Sequence, residues 1–212
     1  VMGQGVKEQA WLDSFDLRED AIGPMRKMSP SATVPGCGYS GRFTRGMAQV
    51  VMGDKALYEQ GRYFYFEGDY ERATSSFQKI ITDYPESPFL ASAAYWLGET
   101  KFHQGMDGEA LEHFQRVARE YPKSEYYEYS LYSSGWIRLQ NGAFEEGVRF
   151  FHRVYVENPR HPIAESSLFW SGYCIYLLGR YNEAVQEMEA LLQVYPQGKW
   201  GPEAEYLIGV SY

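Results

Sequence analysis

The chain has 212 residues, of which 44% are hydrophobic, 17% aromatic and 23% charged, and its formal net charge is −8. The hydrophobic share is large enough to form a sizeable core, which excludes wholesale disorder, and the negative balance disfavours a nucleic-acid-binding surface. No apolar run approaches the roughly 18 residues that a membrane-spanning helix needs.

The leading segment, residues 1–53, differs in pattern from the rest of the chain. Residues 9–17 are predicted to form a short helix with Trp11, Leu12 and Phe15 on one side. Glycine and proline recur after it, which indicates a loop. The short helix is expected either to cap the helical part that follows or to belong to a tethered arm with no fixed contact.

Residues 36–41 match the letters of a dinucleotide-binding fingerprint, G-x-G-x-x-G. That site needs a strand before the glycines and a helix after them, and Pro35 precedes them here. We therefore expect a glycine-rich connector. Cys37 and Cys174 are too few for a disulfide framework, and the sequence leaves open whether they form one disulfide or two separate thiols.

A repeat with a period of 37 residues occupies residues 54–212. One glycine series falls at Gly61, Gly98, Gly135, Gly172 and Gly209. A second series follows at Gly68, Gly105, Gly142 and Gly179. A small residue and a large apolar one, four positions apart, come next at Ala73 and Phe77, Ala110 and Phe114, Gly147 and Phe151, and Ala184 and Met188. A proline closes each unit at Pro85, Pro122, Pro159 and Pro196. Four units and the first helix of a fifth are predicted, starting near residues 54, 91, 128, 165 and 202.

Each unit is predicted to be a helical hairpin. The first glycine lies inside a helix, where it costs about 1 kcal/mol relative to alanine, and this is tolerable if a second helix packs closely over it. The second glycine suits the left-handed end of that first helix, and the small residue lets the second helix approach. Such hairpins bury their apolar faces only by stacking on one another, which gives a solenoid.

The residues between the units predict where each next helix begins. The closing proline ends the second helix because it pushes the preceding residue out of the helical region. Pro88 and Pro162 are then expected at the first position of the next helix, where a missing N–H costs nothing. Ser124 is expected to be the N-cap of the corresponding helix in the unit between them.

Residues 94–98, Ala-Tyr-Trp-Leu-Gly, together with Ala110, Phe114 and Pro122, resemble the tetratricopeptide repeat, whose pattern is W-x2-L-G-x2-Y, A-x3-F and P. This resemblance covers residues 54–212. It implies an all-α tetratricopeptide-repeat α-solenoid, a right-handed superhelix of antiparallel helix pairs with about nine repeat helices. The chain is also similar to the tetratricopeptide proteins of the Gram-negative envelope, namely the Tol-Pal-associated cell-division coordinator and the lipoprotein of the outer-membrane β-barrel assembly machinery. The motifs that carry this narrower similarity are the 37-residue period and the Tyr-Pro pairs at residues 84–85, 121–122 and 195–196. It implies a periplasmic adaptor associated with the outer membrane.

A stripe on the first helices is the candidate binding site. Three residues before each first-series glycine stands an aromatic residue, and the residue after the glycine varies from unit to unit. In tetratricopeptide solenoids this stripe faces the concave groove, which implies partner contacts at Tyr58, Arg62, Tyr95, Glu99, Tyr132, Trp136, Phe169, Tyr173 and Tyr206. A recurring aromatic residue can instead pack against the neighbouring unit, so the variable residues Arg62, Glu99, Trp136 and Tyr173 are the stronger candidates.

The same stripe predicts the kind of ligand. Only Arg62 could hold a carboxylate, so we expect an extended or helical apolar segment rather than an acidic tail. Residues 1–53 carry a net charge of +1 and the repeats −9. This acidity would either steer basic partners towards the repeats or simply keep the protein in solution.

No constellation for catalysis is present. No two of the four histidines stand three or four residues apart, and no P-loop, nucleophile elbow or H-E-x-x-H motif occurs. We therefore expect a non-enzyme without cofactor or metal. The predicted function is an adaptor or scaffold that binds a protein or peptide in bacterial cell-envelope biogenesis. The alternative is a structural subunit of a large envelope assembly, such as a secretion, pilus or motility machine, which would use its outer faces and edges.

Overall fold

The computed structural model describes residues 53–212, and the predictions for the leading segment, including the Trp11 helix, residues 36–41 and Cys37, lie outside them. Within this range the chain forms nine α-helices and no strand. They are α1 (Asp54–Phe66), α2 (Tyr70–Asp83), α3 (Leu90–His103), α4 (Asp107–Glu120), α5 (Tyr127–Gln140), α6 (Phe144–Glu157), α7 (Ala164–Leu177), α8 (Tyr181–Val194) and α9 (Gly201–Ser211). The predicted all-α fold is confirmed for these residues.

The helices are arranged as four hairpins, and α9 is the first helix of a fifth unit. Each second helix, such as α2, packs on the first helix of its own unit and on the first helix of the next. The core therefore runs continuously along the stack, as the solenoid interpretation requires.

The glycine inside each first helix is where the two helices of a hairpin approach most closely. A Cβ atom placed on Gly61 would lie 2.6 Å from the ring of Phe77, one on Gly98 would lie 2.7 Å from Phe114, and one on Gly135 would lie 2.8 Å from Phe151. All three rings are completely buried. The predicted close packing over this glycine is confirmed. The residue that packs there is the large apolar residue of the second helix, a phenylalanine in these three units.

The second glycine series ends each first helix in the left-handed conformation. The φ angles of Gly68, Gly105, Gly142 and Gly179 lie between 72° and 77°. A residue with a side chain is strained at such angles, and glycine is not. These four glycines turn the chain back into the second helix, as predicted from their position.

The start of the next helix differs from the prediction. Helix α3 begins at Leu90 and α7 at Ala164, so Pro88 and Pro162 lie in a preceding turn rather than at the first helical position. The residues that lengthen the period form this turn and do not extend the helix. Ser124 likewise does not cap α5 itself, because its hydroxyl accepts a hydrogen bond from the backbone N–H of Tyr126, one residue before the helix.

The acceptor that stabilises this turn is not the same in all units. Ser87 Oγ accepts from Phe89 N at 3.1 Å, just as Ser124 Oγ accepts from Tyr126 N at 3.2 Å. In the last unit the corresponding residue is Gly198, which has no side chain, and Glu165 supplies the acceptor for Trp200 N at 2.8 Å. The donor before each helix is thus paired even where the local cap is missing.

Candidate functional site

The aromatic members of the first-helix stripe lie between neighbouring units. Tyr95, Tyr132 and Phe169 are completely buried and Tyr58 is nearly so. Tyr58 stacks on Phe89, the residue just before the first helix of the next unit, and their ring centroids lie 5.0 Å apart.

The same contact recurs along the solenoid. Tyr95 contacts Tyr126 at 5.0 Å, and Phe169 stacks on Trp200 at 4.3 Å. The rings of Tyr58, Tyr95 and Phe169 therefore pack against the residue before the next first helix, which is the alternative stated for these positions, whereas Tyr132 contacts Phe151 of its own unit at 5.4 Å. The rings of Tyr58, Tyr95, Tyr132 and Phe169 have little exposed surface, and their role as partner contacts stays a prediction.

One contact in this aromatic layer joins two units that are not adjacent. The hydroxyl groups of Tyr58 and Tyr126 lie 2.9 Å apart, although 68 residues separate them in the chain. Tyr126 precedes the first helix of the third unit. A stripe residue of the first unit therefore reaches the turn that precedes the first helix of the third unit.

The variable stripe residues contact a particular position in the next unit, 34 residues further along the chain. Arg62 lies over the ring of Trp96, with its guanidinium carbon 5.4 Å from the centroid. Ser133 donates a hydrogen bond to Glu99 Oε1 at 2.8 Å. Trp136 contacts Trp170 edge to face at 4.5 Å. We call these three the seam pairs.

In the three seam pairs the partner changes together with the variable residue. The pairs are a cation over an indole, a carboxylate beside a hydroxyl, and two indoles. Variation from unit to unit therefore does not mark a residue as free for a ligand. Trp136 and Tyr173, two of the stronger candidates, are each 2% exposed, and their role as partner contacts stays a prediction.

Two predicted residues retain accessible surface. Arg62 is half-buried, and Tyr206 is 53% exposed. The guanidinium of Arg62 lies within 6 Å of three ring centroids, those of Tyr58, Phe66 and Trp96. We call this group the Arg62 cluster. Arginine and large aromatic residues of this kind are the usual energetic centres of protein interfaces.

Glu99 is the one buried carboxylate of the stripe. Its side chain is 4% exposed, and no Lys, Arg or His within residues 53–212 forms an ion pair with it. Three hydroxyl groups surround it, those of Tyr95, Ser133 and Tyr65. Burial raises the pKa of Glu99, and hydrogen bonding to the Tyr95 and Ser133 hydroxyl groups opposes that rise.

Trp136 carries a buried polar group that lacks a hydrogen-bond partner. Its indole Nε1–H is buried and has no acceptor among residues 53–212. Buried donors are almost always paired, so a donor without an acceptor on this stripe is a point where a ligand atom could bind. Glu99 and Trp136 occupy the same position in consecutive units.

The described residues lack a cluster of metal ligands, and the one cysteine among them is buried. Residues 53–212 hold no cluster of three His, Cys, Asp or Glu side chains that could bind a metal ion. Cys174 is buried against the backbone of Gly147, and burial raises its pKa to about 12. Such a thiol is unreactive at neutral pH. None of the helices in this range is both long and apolar enough to span a membrane.

The sequence interpretation missed the residue before each first helix. These residues are Phe89, Tyr126, Ile163 and Trp200, and they form another column with a period of 37. Their recurrence was visible in the sequence. Only the structure shows that three of them are fully buried and that they meet the stripe.

Comparison with known proteins identifies the repeat. Residues 58–125 and 166–198 each match a family model described as the tetratricopeptide repeat. Together with the hairpin geometry, these matches show that the described residues form an all-α solenoid that contains tetratricopeptide repeats. No curated protein sequence matches it significantly.

Solved structures agree on the fold. A tetratricopeptide repeat protein from Parabacteroides merdae is similar with a TM-score of 0.65 and 20% identity, over 74% of this chain and 59% of that one. This chain therefore spans less than two thirds of that protein. MamA is similar with a TM-score of 0.62 and 16% identity, over 75% of this chain and 80% of its own. MamA from AMB-1 gives 0.57 and 19% over the same shares.

Proposed function

We propose that this protein is a non-catalytic scaffold that binds a segment of a partner protein at the Arg62 cluster. The observation that carries the proposal is the position of Arg62, half-buried over three aromatic rings, next to Phe66, which remains 37% exposed. A partly desolvated arginine on aromatic rings can gain contact area and hydrogen bonds from a partner at little cost in ordering. Tetratricopeptide-repeat proteins are typically adaptors of this kind.

We further propose that the protein acts in the bacterial cell envelope and resides in the periplasm, associated with the outer membrane. The support is the similarity of the 37-residue period and the Tyr-Pro motifs to the envelope tetratricopeptide proteins. Its test is cell fractionation of a strain that expresses the complete gene with a C-terminal tag. Release of the tagged protein with a periplasmic marker supports the proposal, and co-fractionation with a cytoplasmic marker would refute it.

The binding proposal is tested by covalent cross-linking in native extracts, followed by purification of the tagged chain and mass spectrometry. Arg62→Ala removes the centre of the cluster. Arg72→Ala is the matched control, because Arg72 also lies over a ring, that of Phe64 at 4.6 Å, but on the second helix. The partner should be recovered with the wild type and Arg72→Ala and lost with Arg62→Ala. Equal recovery with all three chains would show that the cluster is not the site.

A further inference from the structure

We propose that Glu99 selects partners that carry a basic side chain, Lys or Arg, in the bound segment. This inference rests on the proposed function and adds the chemistry that the partner must supply. It starts from an imbalance in the stripe, which holds a buried carboxylate without a cation and a buried indole N–H without an acceptor.

The carboxylate is the stronger argument. A buried charge is costly unless it is paired, and the pairing at Glu99 comes from hydroxyl groups alone. These neutral donors hold the carboxyl group in place but supply no positive charge to balance its ionised form. A Lys or Arg group of a partner would supply the missing charge, and the bond would be charge-assisted and protected from solvent.

The surroundings of Glu99 suit the stem of such a side chain. Tyr65, Tyr95 and Trp96 are aromatic and lie around the same position of the solenoid, with Tyr65 and Trp96 in contact at 4.9 Å. Arg62 shows that a guanidinium is accommodated on the Trp96 ring. The aliphatic part of a basic side chain would pack on these rings while its charged end reaches the carboxylate.

The neighbouring unit provides the second contact. The indole N–H of Trp136 follows Glu99 by one repeat and lacks an acceptor within residues 53–212. An extended peptide exposes a carbonyl oxygen at every residue, so a segment with its basic residue at Glu99 can offer one to Trp136. A carbonyl acceptor satisfies the donor without adding negative charge next to Glu99.

The overall charge favours the same partner. Residues 54–212 carry 14 Lys and Arg against 23 Asp and Glu, a net charge of −9. A field of this sign accelerates the approach of a basic segment and slows that of an acidic one. Because Glu99 is nearly buried in the structure, its neighbouring rings must rotate before the basic group enters.

The test uses a phage-displayed library of random dodecapeptides, selected on the immobilised 212-residue chain. Selected peptides are then synthesised, and their affinities are measured for the wild type and for Glu99→Gln, which keeps the shape and hydrogen-bonding capacity of the side chain. Glu128→Gln is the matched control, since Glu128 is also a first-helix carboxylate but accepts a hydrogen bond from Asn158 at 2.9 Å. Each peptide is also made with norleucine in place of its basic residue, which removes the charge and keeps the stem.

The expected result is a basic residue shared among the selected peptides. Glu99→Gln and the norleucine replacement should each weaken binding at least tenfold, and the two changes together should cost no more than either alone. Glu128→Gln should bind like the wild type. Selected peptides that lack a basic residue, or that bind Glu99→Gln as tightly as the wild type, would overturn this inference and leave the proposed function standing. A selection that enriches no peptide would overturn both.

Discussion

Substitution of Gly135 by alanine tests the packing principle of the solenoid. The added Cβ would lie 2.8 Å from Cε1 of Phe151 and 2.9 Å from two further ring atoms. These distances are well inside van der Waals contact, so the ring must move. The Phe151 ring has no free space to move into, because it is completely buried and its centroid lies 5.4 Å from that of Tyr132 and 6.2 Å from that of Trp136.

The magnitude follows from two opposing terms. Alanine gains about 1 kcal/mol of helix propensity over glycine. Overpacking of a filled core costs about 1–3 kcal/mol, and three clashing ring atoms place Gly135 at or slightly beyond the upper end. We expect a net loss of about 2 kcal/mol, which lowers the melting temperature of a chain of this size by roughly 4–8 °C.

The chain offers two matched controls in the same glycine column. Gly209 has no atom within 4 Å of its Cβ position, so Gly209→Ala should be neutral or stabilise the protein by up to about 1 kcal/mol. At Gly172 the clash is with the terminal methyl of Met188, a flexible side chain that can swing aside. Gly172→Ala should therefore cost less than Gly135→Ala.

The assay is urea unfolding followed by far-ultraviolet circular dichroism and by tryptophan fluorescence. The expected order of midpoints places Gly209→Ala at or above the wild type, Gly172→Ala below it, and Gly135→Ala lowest. Phe151→Leu, which shortens the obstructing side chain, should recover part of the loss in the double variant. The reasoning is refuted if Gly135→Ala unfolds at the wild-type midpoint, or if Gly209→Ala loses as much as Gly135→Ala.

Three further predictions concern a turn, a buried carboxylate and a thiol. Gly142→Ala should destabilise the protein by about 1–2 kcal/mol in urea unfolding, because alanine is strained at φ 72°. Gly108→Ala within α4 is the control and should not destabilise it, since a Cβ at that position meets no atom within 4 Å. Because the pKa of Glu99 is raised in the folded protein, its contribution to the free energy of unfolding is full below the ordinary pKa and is lost as the pH rises from about 4.5 through the folded-state pKa. The wild type should therefore lose stability relative to Glu99→Gln over that range. Parallel plots of unfolding free energy against pH for the two proteins would contradict this prediction. In a Cys37→Ser chain, the Cys174 thiol should react with Ellman's reagent at about pH 8 only at the rate of unfolding, and rapid labelling of the native chain would show that it is not buried.

The repeat architecture could be predicted from the sequence because its requirements are local or strictly periodic. The left-handed turn requires a glycine at position 142, and the close approach of Phe151 requires one at position 135. Both requirements can therefore be recognised in the sequence. The start of the next helix was harder to predict. Pro88 suits both the first turn of a helix and the turn before it, and the choice depends on how Phe89 packs against Tyr58 in the preceding unit.

The candidate site could be predicted only in part. The sequence places Arg62, Glu99 and Trp136 on one stripe, but it does not show what each one contacts. Their partners lie 34 residues further on, in a column that carries no obvious motif of its own. The burial of Glu99 in particular depends on Tyr65 from the preceding unit and Ser133 from the following one, which no single repeat reveals.

The seam pairs give the solenoid a fixed order of units. If the second and third repeats exchanged places, Arg62 would face Ser133 and lose the indole beneath its guanidinium. Glu99 would face Trp170, so a buried carboxylate would exchange a hydroxyl donor at 2.8 Å for the edge of an indole. The repeats are therefore not interchangeable modules, and a duplication or recombination within this gene would preserve the fold only if both members of each affected pair changed together.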